Sequence, residues 1–335
     1  MTLFVPLHVK HILKLSSNTS SLAYHLTTHL RMNGVYWGLG ALEVMGHGDK
    51  LNANELLKFV LECWDEQTGG FASFPGHDAH VLSTCSAVQI LAIKDRLESL
   101  GLERRSKVID FLASLQNPAS GLCWGDVTHL EEDNRFLYCA VNALAHLKAL
   151  DRLDCRRAIE GVLCCLNFDG GFGRIRGAES HAAQGRCPVC EIDERCQLPA
   201  DKKVSHSRPQ ISYSAFTCVG VLTILDALDR LDQERVAGWL SERQLPNGGL
   251  NGRPQKLEDV CYSWWVLTAL SMLGKLSWID ASKLTKFILS AQVGAMTTLL
   301  TGDDLLTSPR PLYDRSGPAT IRIWMTAALR TDRTT

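Results

Sequence analysis

The chain has 335 residues, a formal net charge of -1 and 21% charged residues. That balance excludes the basic field that nucleic-acid binding requires. A hydrophobic fraction of 45% allows a large core, as one big domain or two ordinary ones, yet no apolar run is long enough to span a bilayer. The start, Met1-Thr2-Leu3-Phe4-Val5-Pro6-Leu7, lacks a basic leader and a small-residue cleavage site, so no signal peptide is expected. Of the twelve cysteines, Cys85, Cys139, Cys164, Cys165 and Cys218 lie inside apolar helical patterns. They are expected to be small buried hydrophobes, which points to the cytosol.

In chain order, one unit recurs: an amphipathic helix, a Gly-Gly turn, a polar loop, then an apolar helix. Helix 56–63 leads into Thr68-Gly69-Gly70-Phe71 and the apolar stretch 80–93. Helix 108–116 leads into Ser120-Gly121-Leu122 and 135–147. Helix 158–167 leads into Asp169-Gly170-Gly171-Phe172-Gly173, and helix 236–244 into Asn247-Gly248-Gly249-Leu250 and 260–273. The turns at Gly70, Gly121 and Gly171 are 51 and 50 residues apart, but 78 separate Gly171 from Gly249. One extra period leaves a surplus of roughly 28 residues. Residues 185–215, polar and containing Pro and Cys, account for it, and the apolar helix resumes over 216–228.

The first helix of each unit carries charge on one face (Glu55, Lys58 and Glu62; Lys107 and Asp110), whereas the second is apolar nearly all round. A helix apolar on every side must be buried on every side. Alternating half-buried and fully buried helices predict two concentric layers, an all-α closed α/α toroid. An open solenoid would keep a polar concave face instead.

The densest chemistry lies at the mouth of the last such helix. Asp259 and Cys261 stand two residues apart, after Gly252-Arg253-Pro254-Gln255-Lys256 and before Tyr262 and Trp265. Alone, the first two read equally as a helix-terminal acid and a buried thiol, since two ligands do not make a zinc site. Cys261 and Trp265 share a helix face at i and i+4, as do Tyr262 and Trp265 at i and i+3. Arg253 and Lys256 precede a helix N-terminus, where backbone N–H groups already favour anions.

These stretches resemble the β subunits of protein prenyltransferases, most closely that of Rab geranylgeranyltransferase (type II). The likeness rests on residues 30–38, Gly76-His77-Asp78-Ala79-His80, residues 167–173, Glu179-Ser180-His181-Ala182 and residues 244–265. It runs from about residue 8 to 292, broken by 185–215. The resemblance implies a hydrophobic funnel for the isoprenoid, with Trp265 on its wall. It implies a diphosphate rim of His181, Arg253, Lys256 and Tyr262, with Arg135 a further candidate and Tyr262 and Lys256 nearest the chemistry. Asp259 and Cys261 would be Zn²⁺ ligands, and geranylgeranyl diphosphate the lipid donor. The partners implied are a helical α subunit, a Rab GTPase with C-terminal cysteines and a Rab escort protein, all cytoplasmic. No residue pattern bears on Mg²⁺.

The family completes its zinc site with a His in a last repeat. Here residues 293–335 contain no His and no Gly-Gly turn, and His206 is the last His of the chain. The last repeat therefore reads as disrupted: a toroid over 1–292, interrupted by 185–215, and an atypical tail over 293–335, disordered or non-native. Cys187, Cys190, Cys196 and His206 suggest a zinc knuckle, but the second half lacks a standard spacing. Two functional readings follow: a catalytic β subunit, or a lipid- and partner-binding subunit without a complete zinc site. An α/α-toroid glycosidase or terpene cyclase would have only Glu258 and Asp259 as an adjacent acid pair. Both 185–215 and 293–335 begin abruptly inside a repeat and read as translated intron or frame-shifted sequence. Sequencing cDNA across both junctions should recover transcripts that lack them; one uninterrupted frame through both in abundant mRNA overturns that reading.

Overall fold

A computed structural model describes residues 2–17, 19–182 and 214–301. After α1 (Val5–Ser17) and the short α2 (Leu22–Leu26), helices alternate between two layers. The inner set is α3 (Arg31–Val44), α5 (Val81–Ile93), α7 (Asn134–His146), α9 (Ser214–Ile224) and α11 (Val260–Met272). The outer set is α4 (Ala53–Glu62), α6 (Gly101–Ser114), α8 (Cys155–Cys164), α10 (Gln233–Ser241) and α12 (Ala281–Thr301). Each inner helix packs on the next, α3 on α5, α5 on α7, α7 on α9 and α9 on α11.

Burial follows the sequence pattern. In α9 every residue from Ser214 to Leu222 is buried, whereas α4 buries only Leu56 and Val60 and α8 only Ala158, Gly161 and Val162. The α/α toroid is borne out. The N-terminal segment is tied to α12 through Gln292, which accepts from the Phe4 N–H at 3.1 Å and donates to the Thr2 carbonyl at 2.8 Å. Trp37 of α3 reaches Trp265 of α11 edge-on at 5.7 Å.

The Gly-Gly turns join one unit to the next. Gly121 (φ +77°) and Gly248 (φ +90°) are left-handed, and a Cβ at either would strike the backbone of Arg157 or Lys283, at the start of the following outer helix. Only glycine satisfies both demands. After each turn the chain runs back toward the ring mouth, and in three units the N–H that follows the polar residue there (His80, Asp133 or His181) is taken by the next unit's loop. Val81 donates to Gly125 at 2.8 Å, Asn134 to Arg174 at 3.1 Å and Ala182 to Gly252 at 2.7 Å. All inner helices therefore begin at one end of the ring. A two-stranded ribbon, β1 (Cys123–Trp124) with β2 (Glu132–Asp133), forms the return in the second unit.

Some expectations need adjusting. The irregular stretch was bounded at 185–215, yet Ser214 and Ala215 open α9 and are fully buried. Residues 185–213, with Cys187, Cys190, Cys196 and His206, lie outside the described residues, as do 302–335 of the tail. The helix α12 runs past Gln292 to Thr301. Cys164 is exposed and Cys139 only half-buried, because both lie off the apolar faces of their helices; Cys85, Cys165 and Cys218 are buried thiols.

One hydrogen bond shows how the third unit accommodates its surplus. The His80 carbonyl accepts from Thr84, four residues on; the His181 carbonyl accepts from Ala215 at 3.1 Å. That second pair is 30 residues farther apart than the first. Deleting residues 185–214 joins Gln184 to Ala215 and restores the four-residue spacing. The shortened chain is expected to keep its helical circular dichroism and to melt at the same or a higher temperature, since closing a loop costs entropy. A fall of several degrees would show that the stretch contributes to the fold.

Candidate functional site at the ring mouth

The site is built from helix-capping positions. Asp259 caps α11: its N–H donates to the Leu250 carbonyl at 3.0 Å and its carboxylate accepts from the Cys261 N–H at 2.9 Å. An aspartate with extended φ and ψ before an apolar helix is a favoured N-cap. The cap leaves Asp259 and Cys261 half-buried on the first turn at the mouth. His181 holds the same place in the preceding unit, with its N–H on the Phe172 carbonyl at 2.9 Å, as His80 donates to Phe71 at 3.2 Å.

The loop 252–256 lies against both. Gly252 passes so close that a Cβ would strike the His181 and Tyr262 rings, which are 5.9 Å apart. Beyond it the turn is held by Asn251, whose Nδ2 donates to the Lys256 carbonyl at 3.0 Å, and by Gln255 in a left-handed conformation at φ +62°. The turn presents Arg253 and the exposed Lys256. Arg253 pairs with Glu179, a carboxylate 66% exposed. His181 is 4% exposed, and its Nδ1 has no hydrogen-bond partner among the described residues. Burial, and then the Arg253 and Arg243 cations, push this imidazole down to about 3, so it is neutral near pH 7.

Below the rim, the inner wall is aromatic. Phe216, Trp264 and Trp265 form a buried cluster, joined by Trp37, Tyr138 and Tyr262. Phe216 lies 5.0 Å from Trp265 and 5.1 Å from Tyr138. Four inner helices thus contribute rings to one apolar centre directly under the cations.

The structure thus gathers His181, Arg253, Lys256, Tyr262, Asp259, Cys261 and Trp265 in one region. Arg135 is differently engaged. It pairs with the fully buried Asp133 at 2.9 Å and with Glu131 at 3.6 Å. Its charge is already neutralised. Two residues were missed by sequence reasoning. Arg243 is 4% exposed, and Asn251 is 2% exposed behind the same loop. An Arg ending an amphipathic outer helix reads as an ordinary C-terminal cation, and nothing in spacing distinguishes it.

For a metal, the fit is incomplete. A carboxylate and a thiol two residues apart are suitable zinc ligands, but a catalytic zinc takes three protein ligands and an open position. Among the described residues no group of three His, Cys, Asp or Glu side chains could hold a metal ion. Nor is any described helix long and apolar enough to cross a membrane.

Comparison with known proteins agrees with this geometry. The family profile described as "Prenyltransferase alpha-alpha toroid domain" matches residues 3–198 and 210–299. The geranylgeranyl transferase type-2 subunit beta of Saccharomyces cerevisiae is 45% identical over 295 residues, covering 87% of this chain and 81% of that one. The type-2 subunit beta 1 of Arabidopsis thaliana is 41% identical over 285 residues, covering 85% and 78%. Among solved structures, Candida albicans protein geranylgeranyltransferase-I complexed with GGPP superposes with a TM-score of 0.66 at 19% identity, over 97% of this chain and 92% of that one, a likeness of fold. On the profile match and on relatives above 40% identity, the chain belongs to the protein prenyltransferase β subunits of the α/α toroid family.

Proposed function

We propose that the chain is the β subunit of a type-2 (Rab) geranylgeranyltransferase. It takes geranylgeranyl diphosphate and passes the prenyl group to C-terminal cysteine thiols of a Rab protein. The observation that carries this is the juxtaposition at the mouth of the ring: a cluster of donors, His181, Arg253, Lys256 and Tyr262, directly above an aromatic well. The family and its type-2 relatives support the lipid and the reaction class. Their names, as beta subunits, also support an α subunit as partner; a cytoplasmic setting and an escort protein presenting the Rab substrate belong to the same reading.

The chemistry follows from that arrangement. The isoprenoid enters the well, where each buried CH₂ is worth roughly 0.8 kcal/mol. The substrate thiol loses its proton to solvent and attacks C1. A sulfur–carbon bond forms as the C1–oxygen bond breaks, and its electron pair leaves with the diphosphate. Negative charge grows on the leaving oxygens, and donors held in place beforehand stabilise it best. Neutral His181 offers one ring N–H. Tyr262 offers a hydroxyl, and Arg253 and Lys256 offer cations. Arg253 must exchange Glu179 for the diphosphate, and an exposed pair of this kind is worth only about 0–1 kcal/mol.

Zinc supplies thiolate activation in this family when bound. Asp259 and Cys261 are the residues that would hold it, one ligand short of a usual catalytic site, so no step is routed through a metal here. That shortfall favours a second reading, in which this version binds the lipid and its partners without efficient transfer.

One measurement tests the rim that both readings share, and a second separates them. Calorimetric titration with geranylgeranyl diphosphate should show Arg253→Ala and Lys256→Ala each weakening binding about 10- to 100-fold, the scale of one charge-assisted hydrogen bond; unchanged affinity refutes the rim assignment. Metal analysis of the dialysed full-length chain is expected to find less than about half an equivalent of zinc, since two ligands hold the ion poorly. A full equivalent that Cys261→Ser abolishes would instead mean that residues beyond those described complete the site, and would favour the transferase.

A further inference from the structure

Behind the rim, on the side away from the aromatic well, lies a buried guanidinium that the reaction as described does not use. Arg243 ends α10. Its Nε donates to the Trp239 carbonyl at 3.0 Å, and its guanidinium lies 4.6 Å over the Trp239 ring. The indole Nε1 donates in turn to Asp169 at 3.1 Å, and the other Asp169 oxygen accepts from Ser180 at 2.7 Å. Ser180 adjoins His181 in the chain. Among the described residues the only carboxylate within ion-pair reach of Arg243 is Glu242, 3.6 Å away and 72% exposed. Its Nη1 has no hydrogen-bond partner among them either.

The other favourable charge for Arg243 is Asp169, behind the Trp239 ring, so this buried cation has no direct ion-pair partner that is itself buried, and burying it is costly. Two connections lead from it to the rim. The Arg243 carbonyl accepts from the Asn251 N–H at 2.9 Å, and Asn251 ties the far end of the loop through the Lys256 carbonyl. The guanidinium itself stands close enough to His181 to act on it electrostatically.

We propose that Arg243 is a positioning residue for the anion rim, acting through His181 and through the Asn251-tethered loop that presents Arg253 and Lys256. It does not touch the diphosphate. It adds a fixed positive field behind His181, whose neutrality owes most to burial and then to Arg253. This rests on the diphosphate-binding reading above. The groups facing His181 are Arg243, Arg253 with its partner Glu179, and Tyr262. Arg243 is the only one of these cations buried out of reach of the ligand.

The test uses the full-length chain with inorganic pyrophosphate as probe, and follows the His181 ring proton by NMR across pH. Arg243→Met should weaken pyrophosphate binding about tenfold and raise the His181 midpoint toward its ordinary value. Arg243→Lys, which keeps the charge, should stay within about threefold with the midpoint unmoved. A purely structural Arg243 would leave the midpoint of the folded Met variant where it was, and that result, with unchanged pyrophosphate affinity, overturns the proposal. Should the Met variant fail to fold, the Lys variant decides: a tenfold loss in a folded protein overturns it too. If the wild-type chain itself binds no pyrophosphate, and Arg253→Ala changes nothing, the diphosphate reading has failed, a distinct outcome.

Discussion

Everything at the mouth of the ring depends on one repeated constraint: the N–H that follows His80, Asp133 or His181 must be satisfied, and the next unit's loop supplies the carbonyl. Val81 on Gly125, Asn134 on Arg174 and Ala182 on Gly252 are the same bond in three units. Orphan N–H groups at a helix start are costly when buried, so this bond fixes where each loop lies. In the third unit the acceptor is Gly252 itself. Its position brings Arg253 beside His181, and the loop meets Tyr262 with no room for a side chain. The cluster of donors at the mouth is therefore a by-product of hydrogen bonds shared between neighbouring units.

The capping positions make the same point. His80, Asp133 and Asp259 cap their helices by accepting from the N–H two residues on, and His181 stands at the equivalent place with its Nδ1 without a hydrogen-bond partner among the described residues. The protein uses the four differently. Asp133 is sunk in a cluster with Arg135 and, at 3.9 Å, Arg174. His80 is buried and pushed down to about 4, chiefly by desolvation. His181 and Asp259 alone flank the loop that carries Arg253 and Lys256. A position that most of these units fill with a capping side chain is an economical place for a site to arise.

Much of this was legible in the sequence because the repeat is. Glycine pairs every 50 or 51 residues, and helices apolar on one face or on all, led to two layers. The surplus in the third unit was visible as a period that did not close. Other features depend on side-chain direction, which periodicity does not encode. Cys164 sits in the same apolar pattern as Cys165, yet faces outward, one position round the helix. Arg135 looked like a rim cation but had carboxylates of its own two and four residues before it. Arg243, which no spacing singles out, is buried against the Trp239 ring.

The contrast between Arg135 and Arg253 decides which cation a ligand can recruit. Both are paired with carboxylates, and sequence alone does not rank them. Asp133 is fully buried and takes two hydrogen bonds from Arg135, through its backbone N–H at 2.8 Å and its guanidinium at 2.9 Å. Removing Arg135 from it would strand a buried charge, at a cost on the order of 3–5 kcal/mol. Glu179 is exposed, so water replaces Arg253 at almost no cost, while a diphosphate offers the guanidinium several oxygens in place of two. The energetic gap between a buried pair and an exposed one therefore assigns Arg253 to the ligand and Arg135 to the scaffold. The same reasoning gives Arg243 its character: with no comparable partner and no access to the ligand, it can act only through the residues it holds.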